Sequence, residues 1–218
     1  KPQQNYLISE QADIIERSLQ HLKVTNAHVV SHDYGDTVGQ ELLARQLEKK
    51  LSFNVKTLHL LNGGLFPETH NALLVQKLLL GPFGGILVRL FSRKKLEINL
   101  KKIFGTYTPP SEQELKDFWY LINYNKGKLV MHKILDYMHQ REQYRERWVG
   151  ALQDPKTPRH LTVGMADPIS GANMVERFKE LIENTTITEL DDIGHFPQIE
   201  APDVVALEIL NFIKVNPN

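Results

Sequence analysis

The 218-residue chain contains no cysteine, which rules out disulfides, a thiol nucleophile and thiolate metal sites. It carries no net charge, with 26 basic and 26 acidic side chains, and no long like-charge block. That balance argues against nucleic acid as the main partner. The largest basic cluster, Arg93-Lys94-Lys95, reads as a solvated helix end. No run reaches the roughly 18 apolar residues of a membrane span. The richest, residues 84–91, is short and ends in charges. No signal-peptide pattern opens the chain. Nothing suggests a nucleotide, flavin or other cofactor, and His28 and His32 stand without a second ligand pair, so no metal is expected and both read as structural. The first residue is Lys rather than Met, which reads as a processed or truncated piece of a longer product.

What is present is ordinary globular composition, 41% hydrophobic and 24% charged, enough for one large domain or two small ones. Apolar residues at three- and four-residue steps predict a helix over 10–22, with Ser9 as its cap. A strand at 27–30 follows, then a helix over 36–50 with the stripe Val38, Leu42, Leu43 and Leu47. Residues 55–61 form a second strand, ended by Asn62-Gly63-Gly64. Strand, helix, strand at this spacing is a parallel α/β unit. From 66 to 154 no strand is predicted, only helices at 70–80, 85–92, 111–123 and 129–152. Ser111 with Glu114 makes a capping box at the third of these. The aromatics of this stretch, Trp119 and Trp148 among them, read mainly as core. Strands return at 159–164 and 186–190, each followed by a helix, at 173–183 and 202–214. The expected organisation is an α/β core (1–65), an all-helical insert (66–154) and the rest of the core (155–218).

Five residues, Ser31-His32-Asp33-Tyr34-Gly35, join the first strand to its helix. Strand, tight hinge, helix is the layout of a nucleophile elbow, in which the flanking positions two before and two after must be small. Here those are Ser31 and Gly35, and the residue between them is Asp33. A carboxylate there can attack carbon and form an ester. The plainer alternative is an acid favoured by a helix N-terminus. Beyond the third and fourth strands lie Asp167 and His195. Sites in parallel sheets form past the carboxyl ends of the strands. Nucleophile, acid and His follow in the order of a hydrolase triad.

Ser31-His32-Asp33-Tyr34-Gly35-Asp36, the Gly164-x-x-Asp167-Pro168 turn and the Gly194-His195-Phe196-Pro197-Gln198-Ile199-Glu200-x-Pro202 ending resemble the α/β-hydrolase branch of epoxide hydrolases and haloalkane dehalogenases. Leu61-Asn62-Gly63-Gly64, Phe66-Pro67-Glu68-Thr69-His70 and residues 147–152 resemble, within it, the mesoderm-specific transcript family, over nearly the whole chain. The resemblance implies an α/β-hydrolase fold with the helical insert as a cap. It implies Asp33 as nucleophile, His195 as the base that activates water, Asp167 as the acid orienting His195, and the backbone N–H of Tyr34 as half of an oxyanion hole. The substrate it implies is a small apolar electrophile such as an epoxide. Tyr144 resembles the second of two cap tyrosines that assist the departing oxygen; Tyr107, Tyr120 and Tyr124 are candidates for the first. Dehalogenases carry Trp where Tyr34 stands, which weakens that reading.

The branch also implies about four strands before the elbow and a His-Gly-x-Pro loop, neither of which is in this sequence. A poorly stable, weakly active fragment with an exposed sheet edge is the expectation. Membrane association, at the endoplasmic reticulum in this family, is expected only through absent upstream sequence. A non-catalytic relative binding a lipid or protein partner is the alternative. An ester or lactone hydrolase using Asp33 only for support is weaker, because Ser31 sits two residues too early. Substrate and oligomeric state stay open.

Overall fold

Strand-forming segments of five to seven residues that alternate with amphipathic helices pack as a parallel sheet with covered faces. The computed structural model describes residues 5–70 and 72–217 and has that arrangement. Strands β1 (Asn26–Ser31), β2 (Asn54–Leu60), β3 (Arg159–Gly164) and β4 (Thr186–Leu190) pair in that order, all parallel. Val29 faces Leu58, His59 faces His160, and Leu161 faces Ile187. Every residue of β3 is buried, as an inner strand requires. β1 forms an edge, where Val30 is exposed.

The helices are α1 (Ile8–His21), α2 (Tyr34–Leu47), α3 (Leu74–Leu80), α4 (Gly84–Leu87), α5 (Arg93–Ile103) and α6 (Glu112–Asn123). They continue with α7 (Met131–Ile134), α8 (Tyr137–Gln143), α9 (Arg145–Gln153), α10 (Ala172–Leu181), α11 (Pro197–Glu200) and α12 (Pro202–Val215). Helices α3 to α9 all lie between β2 and β3 in sequence. The main core joins Val38 and Leu42 of α2, Leu58 and Leu60 of β2, Leu161 and Val163 of β3, Trp148 and Leu152 of α9, and Phe178 of α10. Each such side chain contributes about 1.5–3 kcal/mol by leaving water. The α2–α9 contact also holds a buried carboxylate, Glu41, which accepts from Trp148 Nε1 at 2.8 Å, Arg147 Nε at 3.1 Å and Arg45 Nε at 2.9 Å.

Several helix boundaries differ from the sequence reading. Helix α1 starts at Ile8, with Glu10 reaching back to the Leu7 N–H, so Ser9 lies inside it rather than capping it. The 129–152 stretch is three helices, because Asp136 and Tyr144 sit at junctions; the Asp136 carboxylate takes bonds from His139 and Gln140 and starts α8 anew. Helix α5 went unpredicted because its lysines blur the apolar stripe Leu96, Leu100 and Ile103. Ser92 caps it, and Ser111 with Glu114 caps α6 as expected.

A second cluster, Phe91, Leu96, Leu100, Ile103, Phe104, Leu115 and Ile169, fills the helical segment. Phe196 packs against it, 5.2 Å from Phe104 and 5.1 Å from Phe118 between ring centres. The residue before Phe196 is His195, so this packing fixes where that imidazole stands.

Candidate active site

Because all four strands run the same way, their carboxyl ends share one edge. Asp33 follows β1 there, in a left-handed conformation (φ 50°, ψ −111°) that non-glycine residues rarely adopt. Three backbone bonds hold it: Asp33 N–H donates to the Asn62 carbonyl at 2.9 Å, Gly35 N–H to His32 at 2.8 Å, and Asp36 N–H to Asp33 at 3.1 Å. Tyr34 is the first residue of α2, so its N–H is among those an α-helix leaves without an internal acceptor. The spatial constraint at the elbow differs from the one expected. A Cβ on Gly35 would meet only Ser31 Cβ, at 3.8 Å, whereas one on Gly39 would come within 3.1 Å of Leu58 and one on Gly63 would collide with the Asp36 carboxylate.

His195 follows β4. Its N–H donates to Ile103 O at 2.7 Å and its carbonyl accepts from His32 Nε2 at 2.7 Å. Its Nδ1 meets Asp167 Oδ2 at 2.8 Å, and its Nε2 faces Asp33 Oδ2 at 3.7 Å. Asp167 follows β3 and is fully satisfied: its carboxylate also accepts from Asn62 Nδ2 at 3.0 Å, Ser170 Oγ at 2.7 Å and Ile169 N–H at 2.8 Å. The three residues read from the strand ends thus stand in line, carboxylate, imidazole, carboxylate.

The charges follow from these contacts. Burial works against the Asp167 anion, but the bond to His195 outweighs it and keeps the pKa below the usual range. Asp33 is likewise held well below that range against its partial burial, by His195, His32 and Arg141. Burial opposes a charge on His195 too; the bond to Asp167 and the Asp33 anion outweigh it and carry the pKa up to about 10. His32 is pushed down by burial and by the neighbouring His195 charge. At neutral pH the resting site is therefore an imidazolium between two carboxylates.

Some residues that build this arrangement had no role assigned from the sequence. Asn62, read as part of a strand-ending turn and of a family motif, links Asp33 to Asp167: its carbonyl holds Asp33, its Nδ2 holds Asp167 and Gly164 O, and its Oδ1 accepts from Gly164 N–H at 2.7 Å. Glu200 accepts from Gly105, Gly194 and Phe196 N–H and from Thr108 Oγ1, at 2.6–3.0 Å, which ties the His195 loop to the helical segment. Arg141 is buried; its Nη2 donates to Asp33 O at 3.2 Å, its Nε donates to Thr37 Oγ1 at 2.7 Å, and it lies 4.4 Å over the Tyr137 ring. Its Nη1 has no partner among the described residues. Asn62 and Glu200 stand within the motifs that carry the resemblance, without a role attached; for Tyr137 and Arg141 the signal was a spacing of four on one helix.

Tyr144 is not brought to this cluster. Its ring stacks on Trp148 at 5.3 Å, and it lines a groove with Leu7, Glu41, Gln140 and Arg147. The break after α8 turns its side chain outward. Tyr107, Tyr120 and Tyr124 are all largely exposed. The tyrosine on the Asp33 side is Tyr137, buried, in edge contact with Tyr34 at 5.4 Å. Its pKa is raised by burial and by the Asp33 charge. Among the described residues no group of His, Asp and Glu is arranged to hold a metal, and no helix is long and apolar enough to cross a membrane.

Comparison with known proteins identifies the family of the fold. A family model described as alpha/beta hydrolase fold matches residues 1–202. The mesoderm-specific transcript protein of Mus musculus is 44% identical over 204 residues, 90% of this chain, and the chain spans 61% of that relative's length. Among solved structures, a haloalkane dehalogenase loop variant from Bradyrhizobium elkanii superposes with a TM-score of 0.77 at 16% identity, covering 100% of this chain and 76% of that one. An epoxide hydrolase without ligand gives 0.75 at 17% identity, covering 99% and 77%. At such identities the two structures speak to the fold alone.

Proposed function

Because the chain belongs to the alpha/beta hydrolase fold family, we propose that it hydrolyses a small apolar electrophile, epoxide-like, through an ester on Asp33. The observation that supports this reading is the line Asp33–His195–Asp167, at 3.7 and 2.8 Å, behind a strained strand-to-helix hinge. A Ser nucleophile is not available at that hinge, since Ser31 donates its hydroxyl to Asp36 at 2.6 Å instead.

In the first step an Asp33 oxygen attacks an sp3 carbon. The new C–O bond forms as the epoxide C–O bond breaks, and the freed oxygen takes over the negative charge. His195 starts charged and gives that oxygen its proton; the buried Arg141 and Tyr137 stand beside Asp33 as further electrostatic support. Esterification removes the Asp33 anion, so His195 loses one of the two groups that hold its proton. The neutral imidazole then takes a proton from water, and the hydroxide attacks the ester carbonyl. Asp167 holds the Nδ1 proton and stabilises the imidazolium that forms. Collapse of the tetrahedral intermediate expels the alkoxide, which takes the proton from His195 and leaves Asp33 as the free acid; Asp33 then passes its proton to His195, and the site returns to carboxylate and imidazolium. The sum is epoxide plus water to diol. In this reading the Tyr34 N–H, without an intrahelical acceptor at the start of α2, serves as half of the oxyanion hole.

The test is the His195→Ala variant incubated with a panel of epoxides and one haloalkane, followed by intact mass and adduct mapping. A stable adduct on Asp33, absent in Asp33→Ala, is expected. A folded variant that stays unmodified across the panel removes the covalent reading for these electrophiles and favours a non-catalytic relative.

A further inference from the structure

Residues 70–111 hold seven Lys and Arg side chains against a single acid, Glu97, in a chain whose totals balance. Glu97 is itself occupied by Arg93 at 2.6 Å. Lys77, Arg89, Lys94 and Lys95 are exposed, and among the described residues none of them enters an ion pair. The same segment exposes five large apolar side chains within 17 residues: Leu74 (73%), Leu78 (53%), Phe83 (66%), Ile86 (63%) and Leu90 (65%).

These residues do not belong to a loose segment. Leu79 and Val88 are buried on the inner side of the same helices, and Leu73 and Val75 pack against the cluster that includes Phe104 and seats Phe196. Gly84 lies so close to the Leu79 carbonyl that a Cβ would collide, which locks the α3–α4 turn. Helix α3 thus carries both buried and exposed apolar residues, and Phe83, Ile86 and Leu90 continue the exposed set through the turn, α4 and the residues just after it. Exposed apolar side chains gathered in one short segment point to an interaction site. Aliphatic side chains interleaved with unpaired cations match a membrane interface: the apolar groups enter the acyl boundary and the cations meet headgroup phosphates.

We propose that the outer face of α3 and α4, with the turn between them, docks on an anionic phospholipid bilayer. Leu74, Leu78, Phe83, Ile86 and Leu90 form the inserting edge, and Lys77, Arg89, Lys94 and Lys95 form the charged flank. Nothing in this assignment depends on Asp33 chemistry, so it stands or falls apart from the proposed reaction.

The chain lacks cysteine, so Ile86→Cys can carry an environment-sensitive fluorophore, with Lys156→Cys, on the exposed turn before β3, as control. Vesicles of phosphatidylcholine alone are compared with vesicles containing about one-third phosphatidylserine. The expected result is a blue shift at position 86 only with the anionic vesicles, reversed by high salt, and none at position 156. Adding Lys94→Gln with Lys95→Gln weakens binding roughly thirtyfold, at about fivefold per cation. Adding Phe83→Ser with Leu90→Ser abolishes the shift while the thermal melt stays unchanged. No shift with anionic vesicles overturns the proposal. So does a probe at 86 that is already shielded without vesicles, which means that a second copy or another segment of the protein covers the face.

Discussion

Replacing Asp33 by Asn removes an anion whose Oδ2 lies 3.7 Å from His195 Nε2 while leaving the 2.8 Å bond to Asp167 in place. Two unit charges at that separation interact by about 4–5 kcal/mol at an effective dielectric of about 20. That is about 3 pH units at 1.36 kcal/mol per unit. The Asp33 side chain keeps 39% of its surface in solvent. Screening therefore cuts the effect to about 1.5–2 units. His195, at about 10 in the parent, should titrate near 8 in Asp33→Asn, by about that margin. A long-range proton–nitrogen NMR titration of the imidazole reads this directly. The sign carries into stability as well. A His whose folded pKa lies above its unfolded value stabilises fully below about pH 6.5, and that contribution is lost as pH rises through the folded value. The parent should therefore lose melting temperature up to about pH 10, whereas the variant should stop losing it near pH 8. The outcome bears on the reaction because the Asn variant has the charge of the esterified enzyme. A His195 pKa that stays within about half a unit of the parent refutes the idea that ester formation converts this residue from acid to base.

Asp36 gives the opposite pH signature. Burial pushes its pKa up to about 8, so the unfolded chain releases this proton before the folded one does, and stability falls as pH rises from about 4 to 8. Asp36→Asn should gain in melting temperature relative to the parent across that window. Gly63→Ala drives a Cβ into the Asp36 carboxylate and to 3.0 Å from the Asp33 carbonyl, and should cost about 1–3 kcal/mol in urea unfolding while slowing adduct formation on Asp33. Leu152→Ala empties a fully buried site between α9 and the sheet and should cost about 2–5 kcal/mol without altering the denaturant slope. Trp148→Phe removes the 2.8 Å bond to Glu41 and should cost about 1–2 kcal/mol, since Arg45 and Arg147 still pair the carboxylate.

The sheet, and the meeting of Asp33, Asp167 and His195 at one edge of it, were legible in the chain because both rest on local signals. Four strand-length segments alternating with helices have one economical arrangement in a parallel sheet, and the carboxyl ends of those segments name Asp33, Asp167 and His195 without any knowledge of contacts. The helical segment was legible only in outline. Its length and lack of strands were plain, but α5 is masked by lysines and the 129–152 stretch breaks where Asp136 and Tyr144 redirect it. Tyr144 was named from the family resemblance alone, and Tyr137 was not named. Tyr144 falls at the junction between α8 and α9 while Tyr137 opens α8, and which of the two stands beside Asp33 depends on a junction that periodicity cannot see.

Sequence alone thus determined the class of the fold, where the strands fall along the chain and which residue follows each of them, since these depend on patterning along one segment at a time. Tertiary structure alone decided the order of the strands in the sheet, that Asn62 joins Asp33 to Asp167 across about a hundred residues, that Glu200 ties the His195 loop to the helical segment, and that Arg141 sits buried against Asp33. Those roles come from hydrogen bonds between distant segments, whose directions are set by packing of the core and leave no periodic trace in the chain.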